Sequence, residues 1–480
     1  MDEGWLLSAV EKISHGGMPY VTSYQFYSPG RFYVFALLFS IFGENILVVR
    51  LFWVLCHALL TLLIYRLSLY AVKGFYAFLP PLAVWLVPGP WHKTPFMLGT
   101  VTAFWLILRY VRFPRPINTF WMGFGIAFVL FFRQDVGLFY FVPAAAVSLF
   151  SKVSDDRKLK KRNFLIFMLA FLLPTFIWLS YFVVNGGGKE MFHQLVFAGA
   201  KGFATNPLPY PRLFDIQAQG FWDKLLAIFG NGAFYLPILV LGVFLRFWIL
   251  ERNELDILQR RFWDITAVST LLGFNQLRAR PDFAHLWQVY PLVDIMTALI
   301  LWRISFKRPR TAQAMLVLFL LIIGGAGFSD NSLHHGGIRV LERRTSRLEN
   351  PRAHVRLTPE EKSLYTDVEN IIRKYTSKNE HIFLLPDIPL FYFLTGRKNP
   401  TRWDVLRPSF IWNREEEKEA IELLEASKVK LVVIREEDDI PPAERRFAES
   451  YPLIYDYIQG KFEQIERRDD FRFFVLKKSE

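Results

Sequence analysis

Residues 45–72, NILVVRLFWVLCHALLTLLIYRLSLYAV, contain two charged side chains, Arg50 and Arg66, in a run longer than the ~20 residues a helix needs to cross a bilayer. Residues 164–184, FLIFMLAFLLPTFIWLSYFVV, contain none. Hydrocarbon offers no water to backbone N–H and C=O groups, so segments of this kind must satisfy them internally as helices. This excludes an ordinary water-soluble domain and makes a polytopic α-helical membrane protein the expected class. The aromatic load agrees: 48 Phe and 14 Trp in 480 residues suit lipid-facing helices with interfacial belts.

Apolar runs mark about ten spanning segments, near 46–71, 74–90, 94–112, 118–132, 136–150, 163–185, 232–250, 262–277, 285–302 and 312–328. The connecting loops divide by charge. Arg109, Arg112 and Arg115 share one loop; Lys152, Arg157, Lys158, Lys160, Lys161 and Arg162 share another. Arg246, Arg252, Arg260 and Arg261 lie in a third, and Arg303, Lys307, Arg308 and Arg310 in a fourth. If the segments alternate, all four lie on one side with Lys73, and the positive-inside rule makes that side cytoplasmic. Much of the formal charge of +13 is thereby explained, and no nucleic-acid partner is needed.

Residues 1–31, the turn FRQDVG, the loop from about 186 to 231, the turn RARPDFAH and everything after about 330 then face outward. An outward N-terminal stretch with no helix ahead of it lacks an evident means of crossing. The expectation is that a further helix precedes Asp2. Cys56, the sole cysteine, lies in an apolar run and leaves no intrachain disulfide or cysteine-based metal site.

The pattern changes after 330. Thr358, Pro359 and Glu361 form a capping-box helix start. HIFLLP and KLVVIR read as buried strands, EEEKEAIELLEAS and PAERRFAESYPLIYDYI as helices, and KFEQIERRDDFRFFVLKK as a hairpin turning at Arg-Asp-Asp. The expected division is a transmembrane catalytic domain, 1–330, and a small extracytoplasmic α/β domain, 331–480.

Three polar clusters fall at outward helix ends: Asp2 with Glu3; Arg133 with Asp135; and Arg278, Arg280, Asp282 and His285. A carboxylate at a membrane edge can act as general base on a hydroxyl. Arg and His at the same depth can hold a lipid-linked phosphate. The apolar piece 32–42, after Pro29-Gly30, is short for a span and reads as a helix along the interface, where a lipid carrier can enter.

The run from DEGW through ISHGGMPYVTSYQFYSPGRFYVFALLFSIFGEN to Arg50 resembles the opening of GT-C superfamily glycosyltransferases. The resemblance is to the branch of protein O-mannosyltransferases and the lipid A aminoarabinose transferase. Asp2, Glu3, Gly17, Pro19, Tyr20, Pro29, Phe42, Gly43 and Arg50 carry it, and FRQDVGLF, RARPDFAHLWQVYP and HIFLLPDIPLFYFLTGRKNPTR resemble later stretches. It implies a membrane glycosyltransferase that moves a sugar from a polyprenyl-phosphate donor to an acceptor hydroxyl on the outer face, with inversion. Asp2 then matches the catalytic carboxylate that deprotonates the acceptor. Glu3 matches its neighbour, which positions the acceptor or binds a metal, and Asp135 matches the second-loop acid. Arg133, Arg280 and His285 are assigned to the donor phosphate by their chemistry, with Asp282 in the same turn. Members differ over a divalent metal, which stays open here. The expected partners are the lipid-linked sugar, a lipid, glycan or protein acceptor and membrane lipids; the expected location is a cell membrane, crossed many times.

Smaller signals weigh less. His334-His335 sits in a linker, Gly186-Gly-Gly188 lacks a P-loop lysine and reads as a helix stop, and Pro81, Pro88, Pro174 and Pro237 read as kinks. The acidic run 415–417 reads as a solvated helix face, and the loop 186–231 as a cover for the site. Two rival functions remain: a flippase for lipid-linked sugars, which predicts charge at mid-membrane depth, and a non-catalytic anchor for the outer domain.

Overall fold

The computed structural model describes residues 2–86, 89–150, 157–198, 208–214, 220–278, 280–334, 343–378, 380–406, 413–436 and 447–477. In chain order the first helices are α1 (Asp2–Ser14), α2 (Gly30–Phe42), α3 (Ile46–Ala71), α4 (Leu79–Leu86), α5 (Thr94–Arg112), α6 (Pro116–Phe132) and α7 (Gln134–Phe150). Then come α8 (Arg157–Val184), α9 (Gly188–Phe192), α10 (Phe221–Glu251), α11 (Ile257–Gly273), α12 (Phe283–Leu286), α13 (Tyr290–Lys307) and α14 (Pro309–His334). The remaining helices are α15 (Pro359–Tyr375), α16 (Leu390–Thr395), α17 (Arg414–Ala426), α18 (Phe447–Ser450) and α19 (Pro452–Lys461). The strands are β1 (Ser346–Arg347), β2 (Arg356–Leu357), β3 (Ile382–Leu385), β4 (Leu431–Arg435), β5 (Phe462–Arg468) and β6 (Phe471–Leu476).

Among the described residues five helical stretches are long and apolar enough to cross a membrane: Ile46–Ala71, Trp91–Arg112, Lys158–Val184, Phe221–Glu251 and Pro309–Gly327. The others expected from sequence are shorter or broken. Residues 74–86 split into a 3-10 turn and α4, and the expected span 285–302 begins later, at Tyr290, after a separate turn of helix. Helix α10 starts at Phe221, inside what sequence read as a long loop, because Asp223, Asn231 and two glycines masked its apolar period. Helices α8 and α10 run on through Pro174 and Pro237, and α7 through Pro143.

The chain folds as two compact units that are not consecutive in sequence: residues 1–50, 181–206 and 339–480 in one, and 51–180 and 207–338 in the other. In the second, α13 is the central helix, with Tyr290 to Leu301 all buried. Outer helices invert the water-soluble pattern: Leu169, Leu173, Phe176 and Ile177 of α8 are exposed, as are Leu55, Leu59 and Leu62 of α3, which is the expected face towards lipid. Asp294 breaks the rule that charge sits at helix ends. It is buried, four residues beyond the start of α13, or about 6 Å along the axis.

In the first unit the four-stranded sheet runs β3-β4-β6-β5, parallel between β3 and β4 and antiparallel elsewhere. Capping boxes start α15, from Thr358 and Glu361, and α17, from Asn413 and Glu416. The acidic run is thus more than a solvated face. Glu416 caps its own helix, and buried Glu417 accepts from Leu453 and Ile454 N–H at the start of α19.

The N-terminal helix belongs to this unit. A Cβ at Gly4 would lie 2.7 Å from Leu390 N and 2.9 Å from Leu390 Cα, so glycine is what lets α1 reach the α16 backbone. Buried Asp404 fastens the contact: it accepts from Ser8 Oγ (3.0 Å), Ser23 Oγ (3.2 Å) and Asn399 Nδ2 (3.1 Å), and pairs with Lys12 Nζ at 2.8 Å. Arg352 makes a second clamp, donating to Glu11 and to Glu44, each at 2.5 Å. Between them Tyr20 takes a left-handed φ of 72°, rare for a bulky residue. It is held by its N–H to Ser23 O, its O–H to Tyr27 O and its carbonyl from Gln194 Nε2.

Two stability predictions follow from these clamps. Asp404→Ala leaves an ammonium, two hydroxyls and an amide without their acceptor; we expect a loss of about 3–5 kcal/mol, read as a lowered melting temperature in detergent with earlier proteolysis in α1. Burial pushes the Glu11 carboxyl up to about 7, against the opposing Arg352 charge. A carboxyl raised on folding contributes its full stability in acid and loses it as pH rises towards the folded value, here at a cost of about 3 kcal/mol. Glu11→Gln should flatten that slope in melts taken between pH 4.5 and about 7.

Candidate functional site

In the first unit Asp2 opens α1, and its side chain lies outside the described residues. Glu3, one residue on, is fixed: Arg50 Nε and Nη2 donate to its two oxygens at 2.8 and 2.7 Å. The fork–fork pair ties the start of α1 to the start of α3. Sequence reasoning quoted YSPGRF without assigning its arginine. Arg31 is buried, with its guanidinium 4.4 Å from the Tyr27 ring and 5.6 Å from that of Trp5.

In the second unit the expected outward turns build two neighbouring polar networks. Between α6 and α7 the chain is extended for one residue, Arg133. This tight reversal needs Gly137, where a Cβ would lie 2.3 Å from Leu130 Cα. Arg133 is buried over the Phe96 ring. Its Nε donates to Asp135 at 2.8 Å, and its terminal nitrogens donate to Gln276 at 2.5 Å and to Gln288. Gln276 in turn donates to Asp135 at 2.7 Å, closing the ring. Sequence reasoning paired Arg133 with Asp135 but missed both glutamines. Gln288 was legible as an amide in an apolar run, LWQVYP; Gln276 had no such signal.

The second network is the RPDFAH turn. Asp282 is the N-cap of α12, accepting from His285 N–H at 2.9 Å, and its carboxylate meets His285 Nδ1 at 2.6 Å. Arg280 Nε donates to its other oxygen at 2.9 Å. The terminal nitrogens of Arg280 and Nε2 of His285 have no partner among the described residues. Arg278 is exposed. Burial pushes the Asp282 carboxyl up, but the His285 hydrogen bonds and the Arg280 charge outweigh it and hold it below the usual carboxylate range. Burial lowers the His285 imidazole, with Lys93 and Arg133 adding to the shift and Asp282 opposing it. At neutral pH the pair is therefore carboxylate and neutral imidazole. Nδ1–H faces Asp282, and Nε2 is left as an acceptor. Lys93, buried just before α5, is a cation of this neighbourhood that sequence reasoning passed over.

For a metal, Glu11, His15 and Glu44 place ligand atoms within 4.8 Å of one another. Arg352 already bridges the two carboxylates, and His15 Nε2 meets Glu44 at 2.9 Å. A seated guanidinium and a dication exclude each other, so this trio fits a charge clamp and not a metal centre. His335 and the side chain of His334 lie outside the described residues.

By sequence, neither a protein-family profile nor a curated protein matches the chain. Solved structures do. ArnT from Cupriavidus metallidurans bound to undecaprenyl phosphate superposes with a TM-score of 0.58 at 12% identity, over 100% of this chain and 94% of that one. Its apo form gives 0.55 at 12% identity, over 98% and 93%. The chain is a polytopic helical membrane protein with a small α/β domain, and its fold is that of ArnT.

Proposed function

We propose that the protein is a membrane glycosyltransferase that takes a sugar from a polyprenyl-phosphate donor and delivers it to an acceptor hydroxyl on the extracytoplasmic face. The observation that carries this reading is the RPDFAH turn, where Arg280 is oriented by Asp282 with its terminal nitrogens unengaged among the described residues. Two parallel N–H donors on a fixed guanidinium match phosphate oxygens. Undecaprenyl phosphate, bound by the ArnT fold neighbour, is a ligand of that chemistry.

In this mechanism a carboxylate base, the role that the sequence resemblance gives to Asp2, takes the acceptor hydroxyl proton as the oxygen attacks the anomeric carbon. The bond from that carbon to the phosphate oxygen breaks, inverting the centre, and its electron pair stays on the lipid phosphate. Arg280 stabilises the developing second charge, where preorganised donors are worth most. Glu3, locked by Arg50, orients the helix end that carries Asp2. Arg133 and Asp135 act differently from Arg280. Their hydrogen bonds are directed at each other and at two glutamines, so they position the turn and do not grip the donor. His285, neutral with Nε2 as acceptor, suits a sugar or acceptor hydroxyl better than a phosphate oxygen.

Membranes containing the protein should release polyprenyl phosphate from at least one member of a panel of polyprenyl-phosphate sugars. Asp2→Asn should abolish release, and Arg280→Ala should lower it about 10²-fold. A correctly inserted protein that consumes no donor would end the transferase reading. The His285 shift adds a pH signature. Because the folded imidazole titrates on the acid side of its ordinary value, turnover should fall as pH drops through that region and Nε2 gains a proton. His285→Asn should lose this acid limb while Arg280→Ala keeps it.

A further inference from the structure

The unit formed by residues 1–50, 181–206 and 339–480 contains a polar cavity that the chemistry above does not use. Its volume is about 1080 Å³. Six Lys and Arg side chains line it against three carboxylates, Glu11, Glu44 and Glu419. Those carboxylates are engaged already: the first two with Arg352, the third with Arg402. Lys12 is likewise paired, with Asp404.

Three cations are left. Lys378, Arg397 and Lys398 have no carboxylate at ion-pair distance among the described residues. Arg397 is the most telling, because it is 8% exposed and donates only to neutral oxygens: Thr395 O at 2.6 Å, Thr376 O at 2.7 Å and Thr376 Oγ1 at 3.4 Å. The carboxylate whose charge reaches it, Glu380, is held by Lys430 and by the Ser377 N–H. A guanidinium taken out of water without a counter-charge is costly unless a ligand supplies one.

The backbone gathers the other two cations around it. Helix α16 ends at Gly396 in a left-handed turn with φ 67°. A Cβ there would lie 3.8 Å from Lys378 Cε and 3.9 Å from Arg352 Cζ, so the chain passes between these side chains. Lys398 is set by a parallel bridge to His381, with Ile382 N–H donating to Lys398 O at 3.1 Å. Tyr392 is the one aromatic residue in the lining, and it is buried with its hydroxyl accepting from Leu384 N–H. The wall therefore offers charge and no open ring face for a sugar to stack on.

The geometry points to a binding site for a phosphate-bearing ligand in this cavity, gripped by Lys378 and Lys398, with the uncompensated charge of Arg397 behind them drawing the anion in. The ligand is either the phosphorylated head of a lipid or a soluble phosphosaccharide. The proposal does not rest on the transferase reading, and its test reads binding, not turnover.

The full chain in detergent would be titrated with inorganic pyrophosphate by calorimetry. We expect saturable binding that Lys378→Ala with Lys398→Ala weakens at least about tenfold. The exposed pair Lys418→Ala with Lys461→Ala should leave it unchanged. Hydrogen exchange should show protection of residues 396–399 on addition of pyrophosphate, which keeps the test independent of any variant. No binding by the unaltered protein, equal weakening by both double variants, or protection elsewhere would overturn the site. Repeating the titration in phosphatidylcholine nanodiscs with and without phosphatidylglycerol separates the sources. Competition by the anionic lipid assigns a lipid headgroup, and unchanged affinity assigns a soluble ligand.

Discussion

Hydrocarbon cannot hydrate a charge, and the helical unit is organised around that fact. Its apolar side chains point outward on α3 and α8, and its cations gather in the turns between helices. A cation that cannot remain in water must find its acceptors in the protein. Arg133 does so with one carboxylate and two amides drawn from separate parts of the chain. The α6–α7 reversal, the turn at 274–277 and the turn at 283–289 meet at that guanidinium, so one buried charge ties together the elements beside the turn that carries Arg280.

The two arginines separate a structural from a chemical role by the same criterion. A guanidinium has five donors. Where side chains of the fold take them up, as around Arg133, the residue is a strut. Arg280, with one donor taken by Asp282 and its terminal nitrogens without a partner among the described residues, is on the proposed reading the one left for a ligand. The Asp282–His285 pair extends this logic to protons, since the carboxylate fixes which imidazole nitrogen carries the hydrogen and so which ligand groups the other nitrogen can meet.

Much of this was legible in the sequence, and the parts that were not share a cause. Helices α3, α5, α6, α7 and α8 could be read because hydrophobicity and length are local properties. The capping box at Thr358 and the Arg-Asp-Asp hairpin were legible for the same reason. The Arg280–Asp282–His285 cluster was visible as six adjacent letters. Gln276, Gln288 and Lys93 were not singled out, because their roles come from partners more than a hundred residues away or from another turn. Glu417 was read as surface because an acid in a charged run looks solvated until the helix end it caps is known. The expected boundary at 330 was a linear one, whereas α1 packs with α16 through Gly4, which no local pattern could report.

The fastening of α1 also imposes an order in time. Ser8 and the Asp404 carboxylate that receives it are separated by 396 positions. A ribosome adding about 5–20 residues each second releases α1 many seconds before it makes Asp404. Helix α1 must therefore wait, with Trp5 and Leu6 uncovered, while the helices between it and Asp404 are inserted. Its docking belongs to the last stage of assembly. Helix α1 takes its final place against α16 only after residues 390 to 404 have been made.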